Sequence, residues 1–248
     1  MKKTFLLLLT ATALCLAVCK TEPDLPADPH VPLVNPFIGV WRATTGGQYW
    51  EFRENGTGGR SASAEGPFDD SFSFLYFNGK GTYQRAKPGL VILEDSANDA
   101  VSVTCYEYTS ASVHWATLTP TTGDVLNLAR VNGEPQVINM TNSLIGEYSA
   151  DWWLPGDVHD GYPWSLKYYA DGTVKTYHHG VDNMGHQFEN GYALRKNTLV
   201  IFGTLRFSDP VIADITQQAT GKWQVQENQS SFGLARWLYT KVDSAKWL

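Results

Sequence analysis

The amino-acid sequence predicts an all-β protein made of two tandem small antiparallel up-and-down β-barrels with little helix. Three observations lead there. The phrase "NPFIGVW" at Asn35–Trp41 returns in altered form as "NSLIGEY" at Asn142–Tyr148, and each copy is followed by the same anchors in the same order. Within a copy, short alternating apolar and polar stretches are broken by turn dipeptides about every 8–12 residues, the rhythm of an antiparallel barrel or sandwich. No window shows the 3.6-residue apolar period of an amphipathic helix.

The chain opens with Lys2 and Lys3 and the apolar run "TFLLLLTATALCLAV", which stops at Cys19. A short basic end and an apolar stretch below the roughly 20 residues of a spanning helix read as a secretory signal over residues 1–18. "LAVC" at Leu16–Cys19 resembles the lipobox of bacterial lipoproteins. That resemblance implies cleavage before Cys19, a diacylglycerol on its sulfur, and a lipid-anchored protein of the bacterial cell envelope. A plain signal peptide is the other reading. Residues 19–34, "CKTEPDLPADPHVPLV", are polar and proline-rich, as expected of a lipidated cysteine and tether.

Beyond Cys19 only Cys105 remains, so the body has no internal disulfide framework and depends on its core. About 210 residues with 43% hydrophobic content are enough to bury one. The formal charge is −6 and no Lys/Arg cluster is present, which argues against nucleic acid, whose binding rests on phosphate neutralisation.

The first copy spans 35–134 and the second 142–243, joined by "GEPQVINMT". "YWEFRENGT" (Tyr49–Thr57) answers "LKYYADGT" (Leu166–Thr173); Asn-Gly and Asp-Gly predict type I′ hairpins. "GTYQRAKPGLVI" (Gly81–Ile92) answers "NGYALRKNTLVI" (Asn190–Ile201), aligning Tyr83 with Tyr192. "LNLARV" (Leu126–Val131) answers "LYTKV" (Leu238–Val242). About eight strands are expected in copy one.

"GVW" at the start of the first strand, with Arg130 on the last, resembles the lipocalins and the compact bacterial lipocalin-like domains. The resemblance implies that Trp41 plugs the closed end of a barrel with Arg130 lying across its ring, an arrangement worth about 0.5–2 kcal/mol. In copy two Tyr148 and Lys241 take these places.

If the first strand leaves the sealed end, the next connection lies at the mouth. Copy two carries nine more residues there than copy one, within "DWWLPGDVHDGYPW" (Asp151–Trp164). An aromatic loop holding Trp152, Trp153, Tyr162 and Trp164 is expected to cover a small apolar or amphipathic ligand. Alternatives stand beside it: the rings cork a barrel without a cavity or bury themselves between the two copies, or the barrels are solid and meet a host or envelope protein partner. His178 and His179 point to opposite faces of a strand and His186 lies across a turn, so no metal site is expected. Asp69 and Asp70 in "GPFDD" read as turn-capping residues, and Cys105 as a strand thiol. The sequence holds no nucleophile elbow, phosphate loop or dinucleotide fingerprint, so neither catalysis nor a cofactor is expected.

Overall fold

A computed structural model describes residues 30–78, 88–154, 158–178, 186–202, 210–227 and 235–242. Copy one is a closed eight-stranded barrel in which each strand pairs with the next: β2 (Gly39–Ala43), β3 (Tyr49–Phe52), β4 (Thr57–Ser61), β5 (Phe72–Phe77), β6 (Gly89–Asp95), β7 (Val101–Ser112), β8 (Trp115–Pro120) and β9 (Leu126–Asn132). Copy two closes in the same order through β11 (Gly146–Leu154), β12 (Val158–Tyr168), β13 (Thr173–His178), β14 (His186–Arg195), β15 (Thr198–Phe202), β16 (Val211–Ala219), β17 (Lys222–Glu227) and β18 (Ala235–Lys241). The linker is structured: β10 (Gln136–Val137) pairs with β1 (Val34–Asn35). One 3₁₀ turn, Ala97–Asp99, is the helical element among the described residues. The two tandem barrels are the expected fold, and closure leaves neither sheet with an edge.

The repeated opening phrase is a folded device. Asn35 Oδ1 accepts from Phe37 N (2.8 Å), and Asn142 Oδ1 accepts from Leu144 N (2.9 Å), so each copy begins with the same side-chain turn. That turn drives Phe37 or Leu144 into the barrel base, where both are buried. The glycine that follows has φ of +119° at Gly39 and +140° at Gly146, a backbone conformation costly for any side chain. A Cβ on Gly39 would also sit 2.3 Å from Asn132 O.

The Asn-Gly and Asp-Gly hairpins match each other and differ from the expected type. Gly56 N donates to Arg53 O (3.0 Å) and Arg53 N to Thr57 O (2.8 Å); Gly172 N donates to Tyr169 O (3.3 Å) and Tyr169 N to Thr173 O (2.9 Å). Only the glycines, at +78° and +82°, take positive φ. This is the three-residue loop closed by a left-handed glycine, whereas a type I′ turn needs positive φ at both central residues. Asn55 and Asp171 serve instead as acceptors for the N–H groups of Thr57 (3.0 Å) and Thr173 (3.1 Å).

The ladders correct one anchor. Phe74 N donates to Gly56 O and Tyr192 N to Gly172 O, and Phe74 pairs with Ile92 as Tyr192 pairs with Ile201. Phe74, not Tyr83, is therefore the counterpart of Tyr192; Tyr83 lies outside the described residues. The Leu-Val-Ile half of the anchor aligns as read.

The barrels pack through β5–β6 and β14–β15, burying Leu75, Val91, Leu93, Ala193 and Val200, with Cys105 and Phe202 against them. Leu75 lies so close to Gly191 that a Cβ there would meet its methyl at 2.6 Å. The linker inserts between the two glycine hairpins: Asn139 N donates to Glu54 O (2.6 Å), Met140 N to Ala170 O (2.7 Å), and the Met140 side chain rests on both Gly56 and Gly172. A charged clamp closes the seam. Arg195 donates through Nε and Nη2 to the two oxygens of Asp95 (3.1 and 2.7 Å) and through Nη2 to Asp70 O (2.6 Å).

The hydrogen bonds from Arg195 hold the Asp95 carboxyl below its ordinary value. A depressed carboxylate contributes stability that is present above its unfolded value of about 4 and is lost as pH falls below that. Denaturant titrations on wild type and Asp95→Asn therefore diverge at neutral pH, the variant being weaker, and converge as pH falls below about 4.

Candidate functional site

The site is defined by what fills each barrel and what closes its ends. At the base of copy one Trp41 is 2% exposed, and its Nε1 donates to Phe37 O at 2.7 Å. Trp41 and Arg130 are direct partners across β2 and β9, and the guanidinium lies 4.2 Å from the ring centroid. Arg130 also ties the base together, donating to the carbonyls of Ile38 (2.7 Å), Gly133 (3.0 Å), Val113 (2.7 Å) and Pro36. Burial draws its pKa down from the ordinary value. In copy two Tyr148 and Lys241 are partners at the same ladder position, Tyr148 is 1% exposed, and its hydroxyl donates to Ser143 O at 3.3 Å. The Lys241 ammonium lies over Gly146 and donates to Ile145 O at 3.3 Å. One cation with a single carbonyl replaces a fork that gathers four.

The upper end of copy one carries a second stack of the same kind, absent from the sequence reading. Trp50 and Arg60 are partners across β3 and β4, with the guanidinium 4.0 Å from the Trp50 centroid and 5.7 Å from that of Phe72. Arg60 is held from the far side by both oxygens of Glu94, the partner of Phe72 on β6. Among the described residues Trp50 Nε1 and Arg60 Nε have no hydrogen-bond partner, so this lid rests on stacking and the ion pair. Between the two stacks Phe37, Phe52, Phe72 and Phe74 contact one another or the tryptophans at 5.0–6.5 Å. Copy one is filled by its own rings, as small eight-stranded barrels often are.

Copy two departs at the lid. Tyr148 pairs with Leu166 as Trp41 pairs with Trp50, and Leu166 pairs with Thr176 as Trp50 pairs with Arg60. By the Phe74–Tyr192 equivalence Asn190 stands where Phe72 stands. A tryptophan, an arginine and a phenylalanine are thus replaced by three smaller neutral residues.

Beneath that level lies a layer of four tyrosines. Tyr168 contacts Tyr192 at 4.8 Å, Tyr148 at 5.9 Å and Tyr239 at 6.2 Å, and its hydroxyl donates to that of Tyr239 at 3.2 Å. Burial pushes the hydroxyls of Tyr148, Tyr168, Tyr192 and Tyr239 all upward, so the floor is neutral. Above it Trp164 on β12 and Trp237 on β18 meet edge to face at 5.2 Å, and Trp237 Nε1 donates to the Glu227 carboxylate. Both rings are half-buried.

The expected aromatic loop is not a loop. Asp151–Leu154 belongs to β11 and Val158–Trp164 to β12, with Trp153 paired to His159 and Leu154 to Val158, so these residues lengthen the barrel wall; 155–157 lie outside the described residues. β11 and β12 run 9 and 11 residues, against 5 and 4 in β2 and β3. The physical reason is that aromatic and β-branched residues suit a pleated wall, where the ladder satisfies their backbone groups. The backbones of Trp152, Trp153 and Tyr162 are in these strands; their side chains lie outside the described part. Trp164 is the predicted residue that the structure brings to the upper rim, joined by Trp237 and Glu227, which sequence reasoning missed. Their alternation with Tyr239 and Val225 along β18 and β17 was the available signal.

Asp69 Oδ1 accepts from Arg60 N (2.7 Å) and Ser71 Oγ (2.9 Å), and Asp70 pairs with Arg195 (3.4 Å) and Arg53 (3.6 Å). Both carboxylates hold loops. His178 and His186 are strand partners, their side chains outside the described part, and His179 lies beyond it. Among the described residues no group of three His, Cys, Asp or Glu is placed to hold a metal ion. Cys19 lies outside the described residues.

Because hydrogen bonds to a charged donor contribute about 1.5–3 kcal/mol and Arg130 supplies several, Arg130→Ala is expected to cost roughly 3 kcal/mol. Lys241→Ala, removing one bond from an exposed ammonium, is expected to cost about 1 kcal/mol or less. Urea midpoints at constant slope measure both. Comparison of the chain with protein-family models, with curated proteins and with solved structures finds no match.

Proposed function

We propose that the protein is a lipid-anchored, non-catalytic, lipocalin-like binding protein of a bacterial envelope, and that it holds a small apolar or amphipathic molecule in the upper half of its second barrel. The observation that carries this reading is the exchange of Trp50, Arg60 and Phe72 for Leu166, Thr176 and Asn190 at equal ladder positions. Taller walls above that level bear Trp164 and Trp237 over a neutral tyrosine floor, which suits an apolar ligand with a few fixed polar contacts. The Glu227 carboxylate is an acceptor for a polar end. Copy one, filled throughout, acts as the scaffold against which copy two is braced. The anchor follows from the lipobox-like "LAVC" ending at Cys19.

Titration with long-chain fatty acids and with neutral lipophiles, read by tryptophan emission, is expected to saturate. Trp164→Ala and Trp237→Ala each weaken the affinity by about tenfold, or 1.4 kcal/mol. An emission spectrum unchanged across the panel contradicts a ligand site and favours a surface that engages a protein.

A further inference from the structure

The exposed apolar side chains are not scattered. Among the described residues seven large ones stand exposed, and five of them surround the sealed base of copy one: Val34 (52%), Val137 (41%), Val113 (54%), Trp115 (54%) and Val131 (46%). Only Val125 lies at the opposite end of that barrel; the seventh, Val31, is on the chain leading into the base. Val34 and Val137 are partners in the two-stranded sheet, and Trp115 is the partner of Ala129, two residues from Val131 on the same outer face. Arg130 draws these pieces together, because its guanidinium bonds the carbonyls of Pro36, Val113 and Gly133 at once.

From this placement we propose that the base of copy one, with Trp115, Val113, Val131, Val34 and Val137, is a face that rests on the lipid surface to which the chain is tethered. The inference rests on the anchor reading, and the position of the patch supplies the argument. The chain reaches this face at Val34, after Leu33 N has donated to Asp171 Oδ2 of copy two (2.9 Å). Val31 is twelve residues from Cys19, so even fully extended the chain reaches only about 40 Å, and a short flexible tether raises the effective concentration of whatever surface lies beside its attachment. Aliphatic side chains around one exposed tryptophan suit the boundary between headgroups and acyl chains, where indole is favoured. The protein is acidic, so a zwitterionic lipid surface fits better than an anionic one, which would repel it.

The test tethers the protein chemically, so that it does not depend on whether the cell lipidates Cys19. The chain from Cys19 onward, carrying Cys105→Ala, is coupled through the Cys19 thiol to a maleimide phospholipid in phosphatidylcholine vesicles containing brominated acyl chains. Bromine is expected to quench part of the tryptophan emission, and Trp115→Phe is expected to lose that part. Val113→Glu with Val131→Glu, both at exposed positions, is expected to lose it as well while keeping the far-ultraviolet circular dichroism of the parent. Equal quenching in parent and Trp115→Phe, or none in the parent, overturns the proposal. Concentration-dependent dimerisation without vesicles, abolished by Val131→Glu and unaccompanied by quenching, overturns it in favour of a second copy of the chain. Mass spectrometry of Cys19 from membranes separately tests the anchor.

Discussion

A guanidinium lying on an indole is the contact on which this molecule is organised. A closed sheet has no edges, but its two ends must be covered or water enters a core that has no disulfide to support it. In copy one each end is covered by an arginine over a tryptophan, at 4.2 Å below and 4.0 Å above. The two stacks differ in what holds the cation. Below, Arg130 is fixed by main-chain carbonyls and thereby ties the incoming strand, a hairpin tip and the outgoing chain to one point. Above, Arg60 is fixed by Glu94, whose carboxylate balances its charge. The first joins chain segments and the second only closes a gap.

That difference explains how duplication left room for divergence. The base of copy two keeps the Asn turn, the strained glycine, the aromatic plug and a cation, because each ties chain segments together. The lid can be removed without unfastening any segment, and in copy two its three positions hold Leu166, Thr176 and Asn190. The seam with copy one, made of the Leu75–Gly191 contact, the Met140 wedge and the Arg195 clamp, braces a barrel whose lid positions hold smaller residues.

Much of this was legible because it is local. The Asn turns, the positive-φ glycines and the Asn-Gly and Asp-Gly hairpins are each written within a few consecutive residues, so two tandem barrels followed from the repeat. The pairing of Trp41 with Arg130 spans most of a copy and was reached through resemblance to a family. The lid was not legible, since Trp50, Arg60, Phe72 and Glu94 meet only through the register of four strands, and no periodicity reveals register. The misplaced Tyr83 has a similar origin: the connection between β5 and β6 runs from Asn78 to Pro88, whereas that between β14 and β15 is only Lys196–Asn197. Counting residues outward from Leu-Val-Ile therefore leaves the true ladder. The added segment of copy two falls in the connection after the first strand, which points to a loop at the mouth, while its aromatic residues favour a wall and extend both strands.

The central claim is that loss of the lid, and not the rings at the rim alone, makes copy two a receptacle. It is tested most directly by restoring the lid in copy two with Leu166→Trp and Thr176→Arg together and measuring lipophile affinity by isothermal titration calorimetry. The account predicts that the heat of binding disappears while the far-ultraviolet circular dichroism of the parent is retained. A folded double variant that binds as tightly as the parent would contradict it.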